Sequence, residues 1–363
     1  MDAVEATSKY DRWLKQRLVI DKSDLKHKHE CMAGDAFSFL RATFYRWAQV
    51  WPALCPDLTA APEVLGVGDL HVENFGTWRD GEGRLIWGVN DFDEATVLPY
   101  TNDLVRLCAS ALISITSSHG TTSPRQACDA VLEGYRDSLA AQGLPTVLAE
   151  HNRWLRDLAV GRLKEQRTYW DKMGTLKKVK TPPVRKVRGY LQQALPDRSL
   201  PMKIVKRRAG LGSLGRQRFT ALVHWRGGLI AREAKALTTS AWWWNSSGGT
   251  RQPVRYSQIV DQAVRVADPF LKIHEGWVVR RLAPDCSRVE LENLADVQDQ
   301  CKLLHMMGWE TANVHLGSPR QLAALTRDLR RRKRDWLCVA ASGMRDATFK
   351  DWRAWREWYG RAG

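Results

Sequence analysis

Asp69 lies in the run Gly68-Asp69-Leu70-His71-Val72-Glu73-Asn74-Phe75-Gly76, and Asn74 follows it by five residues. Asp91 comes next in Asn90-Asp91-Phe92-Asp93-Glu94-Ala95. These side chains are oxygen donors on two short segments. Phosphoryl transfer needs a carboxylate to orient or deprotonate the attacking hydroxyl, and an amide with a second carboxylate to hold magnesium against the nucleotide phosphates. Asp69, Asn74 and Asp91 suit those roles in that order, with Asp93 either assisting at the metal or supporting it from behind. Taken singly, an Asp or Asn beside Gly is an ordinary turn residue. Their density in two runs argues for chemistry.

A second element is Gly210-Leu211-Gly212-Ser213-Leu214-Gly215. In a dinucleotide-binding fold a GxGxxG opens a helix, but here Arg216 to Trp225 reads as β. Strand, glycine loop, strand is the kinase arrangement, in which a flexible hairpin covers the phosphates. Lys235 stands twenty residues after Gly215 on the next predicted strand, where it could contact the α- and β-phosphates. Gly210, Gly212, Ser213, Gly215 and Lys235 are thus candidate nucleotide-binding residues; the plain alternative is a glycine hairpin with a solvent-facing lysine. Asp261, on a predicted helix from Gln258 to Ala267, is the candidate carboxylate partner of Lys235. Glu233 is nearer but shares the lysine's strand. Gly276 to Leu282 is a candidate strand edge for an adenine.

The elements that must position these residues read as follows. Residues 1–60 are mainly helical, with Phe37, Leu40, Phe44 and Ala48 at helix spacing. Apolar runs at Glu63 to Val67 and Arg84 to Val89 lead into the two acidic segments, and Asp80 to Gly83 supplies a hairpin turn. Thr101 or Asn102 is the expected N-cap of a helix carrying Leu104, Leu107, Cys108 and Leu112 and ending near Gly120. Helices continue to about residue 195. Short strands are expected at Ile204 to Arg208, Gln217 to Trp225 and Leu229 to Ala234, then a helix from Tyr256 to Ala267, a strand at Gly276 to Leu282 and a helix from Leu291 to Met307. From Pro319 the chain reads helical and basic, with Arg330 to Arg334 an unbroken positive run.

Gly68 to Phe75, GDLHVENF, resembles the catalytic loop of aminoglycoside and choline kinases, and Gly88 to Ala95, GVNDFDEA, resembles their metal-binding segment. With FSFLRA (Phe37 to Ala42) and LPYTNDLVRLCAS (Leu98 to Ser110), the succession is similar to bacterial domain-of-unknown-function family 2252, grouped by resemblance with the protein-kinase-like fold. The similarity is dense over residues 35–115 and patchier beyond. Val67 departs from the histidine that usually precedes the Gly-Asp pair, and Asn90 from the usual apolar residue. The resemblance implies an α+β, bilobal, kinase-like fold that uses ATP and Mg2+. A helical catalytic region would span 1–195 and a small antiparallel-sheet nucleotide lobe 196–290. Helices of 291–363 would pack on the catalytic lobe. Because the catalytic loop precedes the glycine loop, the lobes would be in permuted order. His71 would be structural in such a loop.

Composition bounds the rest. The 363 residues carry 56 Lys plus Arg against 40 Asp plus Glu, a formal charge of +16, which implies an anionic partner. No run approaches the roughly 18 apolar residues of a spanning helix, and the N-terminus lacks the order of a secretory signal, so a cytoplasmic location away from membranes is expected. Seven cysteines without a Cys-x-x-Cys pair read as reduced thiols. His305 and His315 lack a ligand set, and Trp242 to Trp244 read as packing residues or as a substrate pocket. The functional expectation is a phosphotransferase acting on a hydroxyl-bearing small molecule or protein. Two alternatives stay open: nucleotidyl transfer through the same residues, and a non-catalytic module in which the arginine run and neighbouring tryptophans bind nucleic acid or a partner.

Overall fold

Helix α6 (Tyr100–Ser117) forms the axis of the larger core, with every residue from Tyr100 to Ile115 buried. The computed structural model describes residues 1–117, 122–148, 152–161, 165–245, 252–286, 288–289, 291, 294 and 296–362; the expected helix end near Gly120 lies outside them. Before α6 come α1 (Ala3–Lys15), α2 (Lys22–Gly34), α3 (Ala36–Ala42), α4 (Phe44–Leu54) and α5 (Pro56–Thr59). Asp2, Asp21 and Asp35 accept the free N–H groups at the starts of α1, α2 and α3, as short polar caps do. Thr101 and Asn102 do not cap α6. Both are buried inside it, where Thr101 donates to the Leu58 carbonyl and Asn102 accepts from the Trp47 indole.

Strand β1 (Glu63–Gly66) does not enter the expected hairpin; it pairs antiparallel with β4 (Thr96–Pro99), which the sequence pattern did not reveal. The hairpin forms instead between β2 (Phe75–Arg79) and β3 (Leu85–Val89), closed at Asp80 to Gly83, with β5 (Thr146–Val147) on the far side of β3. Helices α7 (Pro124–Ala140) and α12 (Val297–His315) cross so closely that a Cβ at Gly134 would lie 1.8 Å from the His305 carbonyl oxygen, and one at Gly308 2.0 Å from that of Val131. Only glycine permits that approach. The last helices, α13 (Leu322–Arg331) and α14 (Trp336–Ala362), follow. Leu337, Ala341 and Met344 of α14 join the core around α6, and Trp355 packs with Met32 and Phe39.

The second unit of packing is a five-stranded antiparallel sheet of β6 (Lys203–Val205), β7 (Arg218–Trp225), β8 (Gly228–Ala236), β9 (Lys272–His274) and β10 (Trp277–Leu282), in the order β6-β7-β8-β10-β9. Arg226 and Gly227, both at positive φ, make the tight β7–β8 turn. One set of sheet residues, Ile204, Phe219, Ala221, Ala234 and Val279, packs on Val187 and Leu191 of α10 (Arg185–Gln193); another, Val205, Leu222, Ala231 and Leu282, packs on Met173 of α9 (Gln166–Gly174). These two helices thus belong to the sheet rather than to the helical part that ends at the expected boundary of 195. Two helices also differ in extent from the sequence pattern: α11 spans only Tyr256–Gln262, and α12 begins at Val297. Helix α8 (Arg153–Gly161) completes the set.

Candidate active site

The Asp69 loop is held from α6 and α12. Asp103, fully buried in the first turn of α6, accepts the backbone N–H of Val67 at 2.6 Å and of Gly68 at 2.9 Å. His315 Nε2 lies 3.1 Å from the same carboxylate, and the Tyr135 hydroxyl lies 2.9 Å from His315 Nδ1. Three residues along α6 and on the same face, Arg106 donates from Nε to Asp69 Oδ1 at 2.9 Å, adds a second bond from Nη2, and also reaches the Leu40 carbonyl. Its guanidinium lies between the Phe44 and Trp47 rings, 5.0 and 4.9 Å from their centres. Burial raises the Asp69 carboxyl to about 7, against the opposing pull of Arg106. His71 is buried, its Nδ1 accepts the Glu73 N–H, and burial with nearby arginines drives its pKa well below the ordinary value. It therefore caps the turn as a neutral ring.

The second acidic segment is brought alongside by the β2–β3 hairpin. Asn74 immediately precedes β2, Asn90 immediately follows β3, and the Asn90 N–H donates to the Asn74 carbonyl at 2.9 Å. Asp69, Asn74, Asp91 and Asp93 all line one cavity of about 50 Å³. Asn74 Oδ1 accepts the His71 N–H at 2.9 Å, leaving one lone pair. Lys235 Nζ lies 2.7 Å from Asp93 Oδ1 and 3.3 Å from Asp91 Oδ1. The Asp93 contact is an ion pair off the hydrogen-bond direction, so both Asp93 oxygens are buried without a hydrogen bond. Burial and the neighbouring Asp91 charge raise the Asp93 pKa. Burial also acts to raise Asp91, but Lys235 and Arg280 outweigh it and hold that carboxyl well below its usual range.

These oxygens suit a hard divalent cation. Asp93 offers buried oxygens that accept no hydrogen bond, although Lys235 pairs with one of them, Asp91 is ionised, and Asn74 keeps a free lone pair. Magnesium is commonly held by one or two carboxylates together with substrate phosphates and water. Among the described residues no three His, Cys, Asp or Glu side chains form a ligand set by themselves.

The glycine loop, far downstream in sequence, closes over Asp69. A Cβ on Gly212 would sit 2.9 Å from the Arg41 carbonyl oxygen and 3.4 Å from Asp69 Oδ2. Gly210, Gly212 and Ser213 line the Asp69 cavity. Gly215 does not; at φ +93° it turns the chain, and its carbonyl accepts the Asp21 N–H. Lys28 of α2, whose pKa burial lowers to about 8, donates to the Gly212 carbonyl at 3.0 Å. Lys206 and Arg208 pair with Asp21 and Asp24. The loop is thus pinned by α2 rather than left as the mobile flap expected from its glycines.

Residues 20–180 and 193–358 match the sequence model of a family of uncharacterized proteins conserved in bacteria, domain-of-unknown-function family 2252 (DUF2252). The chain belongs to this family. Its matched segments contain Asp69, Asn74, Asp91, Asp93, the glycine loop and Lys235, so the DUF2252 region includes both halves of the site. No curated protein and no solved structure matches.

Some expectations for this DUF2252 chain are revised, and the open choice for Trp242 to Trp244 is decided. Asp261 is exposed on α11, while the Lys235 ammonium goes to Asp93 and Asp91, buried behind the cavity rather than lining it. Glu233, on the same face of β8, pairs instead with Arg207, Arg218 and Arg280. Strand β10 is no free edge from Trp277 to Val279, where it pairs with both β8 and β9; only Arg280 to Leu282 lack a β9 partner. Trp243 and Trp244 donate to Thr96 and to the Tyr45 carbonyl, and Trp242 stacks near Phe44, which is packing. One pair of residues, Asp103 and Arg106, which hold the Asp69 loop through separate contacts, and the ion pair Glu94–Arg216 were given no site role from the sequence. Arg216 follows the last loop glycine and meets Glu94 of the second acidic segment. Polar residues at i and i+3 in an apolar helix were the available signal for the first pair.

Proposed function

We propose that this chain is an ATP- and Mg2+-dependent phosphotransferase that acts on a hydroxyl acceptor and whose kinase-like lobes are in permuted order. The observation that carries the reading is the meeting of Gly212 with Asp69 Oδ2, since it brings a glycine loop from the sheet onto a carboxylate from the helical part. The glycine loop joins the first two strands of the sheet and Lys235 lies on the third, the positions a kinase uses. A carboxyl near 7 suits a group that takes a proton at physiological pH. Bound magnesium would neutralise phosphate charge; Asp91, Asp93 and Asn74 would hold it. Asp69 would orient the acceptor hydroxyl and accept its proton. Arg106 fixes the Asp69 rotamer, and Lys235 keeps the adjoining acidic pair charged and in place.

The test uses ATP labelled either at the γ-phosphate or in the adenine, incubated with protein, Mg2+ and a bacterial extract. The expected result is acceptor carrying the γ-label alone, with transfer abolished in Asp69→Ala. Adenine label on the acceptor would identify nucleotidyl transfer instead, and full transfer by Asp69→Ala would overturn the assignment.

A further inference from the structure

A second cavity, of about 480 Å³, adjoins the site and shares Asp91, Gly210 and Arg288 with the Asp69 cavity. Arg207, Arg218, Arg265, Arg280, Arg281 and Arg288 line it, against two carboxylates, Asp91 and Asp268. The acids that pair these arginines are shared. Glu233 serves Arg207 at 2.7 Å, Arg218 at 2.5 Å and Arg280 at 3.2 Å; Asp285 serves both Arg79 and Arg281; Glu73 serves both Arg41 and Arg288. Positive charge is therefore in excess around the cavity.

Arg265 contributes to that excess without an acid of its own. It has no ion pair within 4.0 Å among the described residues, and its Nε and Nη1 are buried without a hydrogen bond. Its guanidinium lies 4.9 Å from the Trp78 ring centre and 5.0 Å from that of Phe92. The Nε of Arg280 is also buried without a partner. Leaving buried guanidinium donors unsatisfied is costly unless an anion meets them.

We propose that this cavity binds a condensed phosphate, such as a nucleotide triphosphate or inorganic tripolyphosphate, and that the phosphates rather than a base carry recognition. Guanidinium forks match phosphate oxygens in pairs, and several in one cavity favour adjoining phosphoryl groups over a single one. The volume falls within the common range for ligand sites. Among the described residues Trp78 is the one aromatic ring lining the cavity, and Arg265 already lies against it, which leaves little for a base to stack on. This deepens the phosphotransferase reading by seating the donor's phosphates on arginines of the sheet instead of on Lys235.

The test is calorimetric binding of ATP, GTP, tripolyphosphate and orthophosphate to the full chain. ATP, GTP and tripolyphosphate are expected to agree within about threefold, with orthophosphate at least about a hundredfold weaker, because several charge-assisted contacts are lost. Arg265→Gln should weaken all three condensed phosphates about tenfold or more. Since Arg265 also packs on Trp78 and Phe92, the more exposed Arg288→Gln is measured beside it, with at least threefold weakening and an unchanged melting temperature expected. ATP binding tenfold tighter than tripolyphosphate, or wild-type affinity in both variants, would overturn the proposal. Binding is read without turnover, so a protein that transfers nothing still tests the cavity, and base-selective binding by an active transferase refutes the cavity proposal alone.

Discussion

Lys235 and Asp93 offer the most demanding test of the site as folded. The Lys235 side chain is 2% exposed and that of Asp93 9%, and the ammonium lies 2.7 Å from the carboxylate. Removing one partner of a buried pair strands the other charge, at a cost of about 3–5 kcal/mol. Here the lower end applies to Lys235→Met, about 3 kcal/mol, because Arg216 stays 3.7 Å from Asp93 and part of the acidic charge is still offset. Adding Asp93→Asn removes the stranded carboxylate, so the double variant should regain roughly half the loss; the coupling is then that regained amount, about 1.5 kcal/mol, plus the cost of Asp93→Asn alone. Urea unfolding of wild type, both single variants and the double variant closes the cycle. A Lys235→Met variant within about 0.5 kcal/mol of wild type, the usual range for an uncoupled surface change, would refute the buried pair. So would additive single effects.

Two further outcomes follow from the same geometry. Gly212→Ala places a methyl 2.9 Å from the Arg41 carbonyl oxygen and 3.4 Å from Asp69 Oδ2; the loop must lift, and nucleotide affinity measured by titration should fall by about tenfold, from overpacking of the order of 1–3 kcal/mol. Wild-type affinity would show that the loop does not close there. Glu310 is buried, and burial raises its carboxyl to about 7 despite bonds from Thr146 and Asn313. The folded state therefore holds this proton more tightly than the unfolded chain, so the Glu310 contribution to stability is greatest below about 4.5 and declines as pH rises to about 7. Glu310→Gln removes that decline. Its stability relative to wild type should be higher at pH 8 than at pH 5 by up to about 3 kcal/mol, read by urea unfolding at each pH; parallel pH profiles would count against it.

The two acidic segments and the glycine loop were legible in the sequence because each is local: a handful of residues within one turn or hairpin. The partner of Lys235 was not. Asp261 was chosen as a helix carboxylate, whereas β8 faces the loop after β3, and no periodicity encodes which loop a strand faces. The same limit hid β4, a four-residue strand whose apolar pattern merges into α6, and moved α9 and α10 to the sheet. Arg106 carries no local signal of what it contacts; its function emerges only when Asp69 is folded against it. Thr101 and Asn102, the alternatives for the expected cap of α6, make tertiary bonds to Leu58 and Trp47 instead, which local capping preference cannot foresee.

Part of the basic surplus gains a location from these contacts. The basic run at Arg330 to Arg334, the basis for a nucleic-acid surface, breaks at Arg332, where α13 ends. Arg332 pairs with Asp328 and donates to the Tyr100 hydroxyl, and its guanidinium lies 5.1 Å from the Trp336 ring centre. Trp336 is itself buried. A stacking platform needs a free aromatic face beside free cations, and this pairing consumes one of each. Around Glu233 the balance runs the other way: three arginines meet one carboxylate that burial acts to raise, yet their charges hold it ionised. The cavity thus holds guanidinium groups in excess of carboxylates, next to an ionised Asp91. Reversing the charge of exposed Arg330 and Arg334, which line neither cavity, should therefore leave tripolyphosphate affinity at physiological ionic strength unchanged, since solvent-exposed charges are screened by salt.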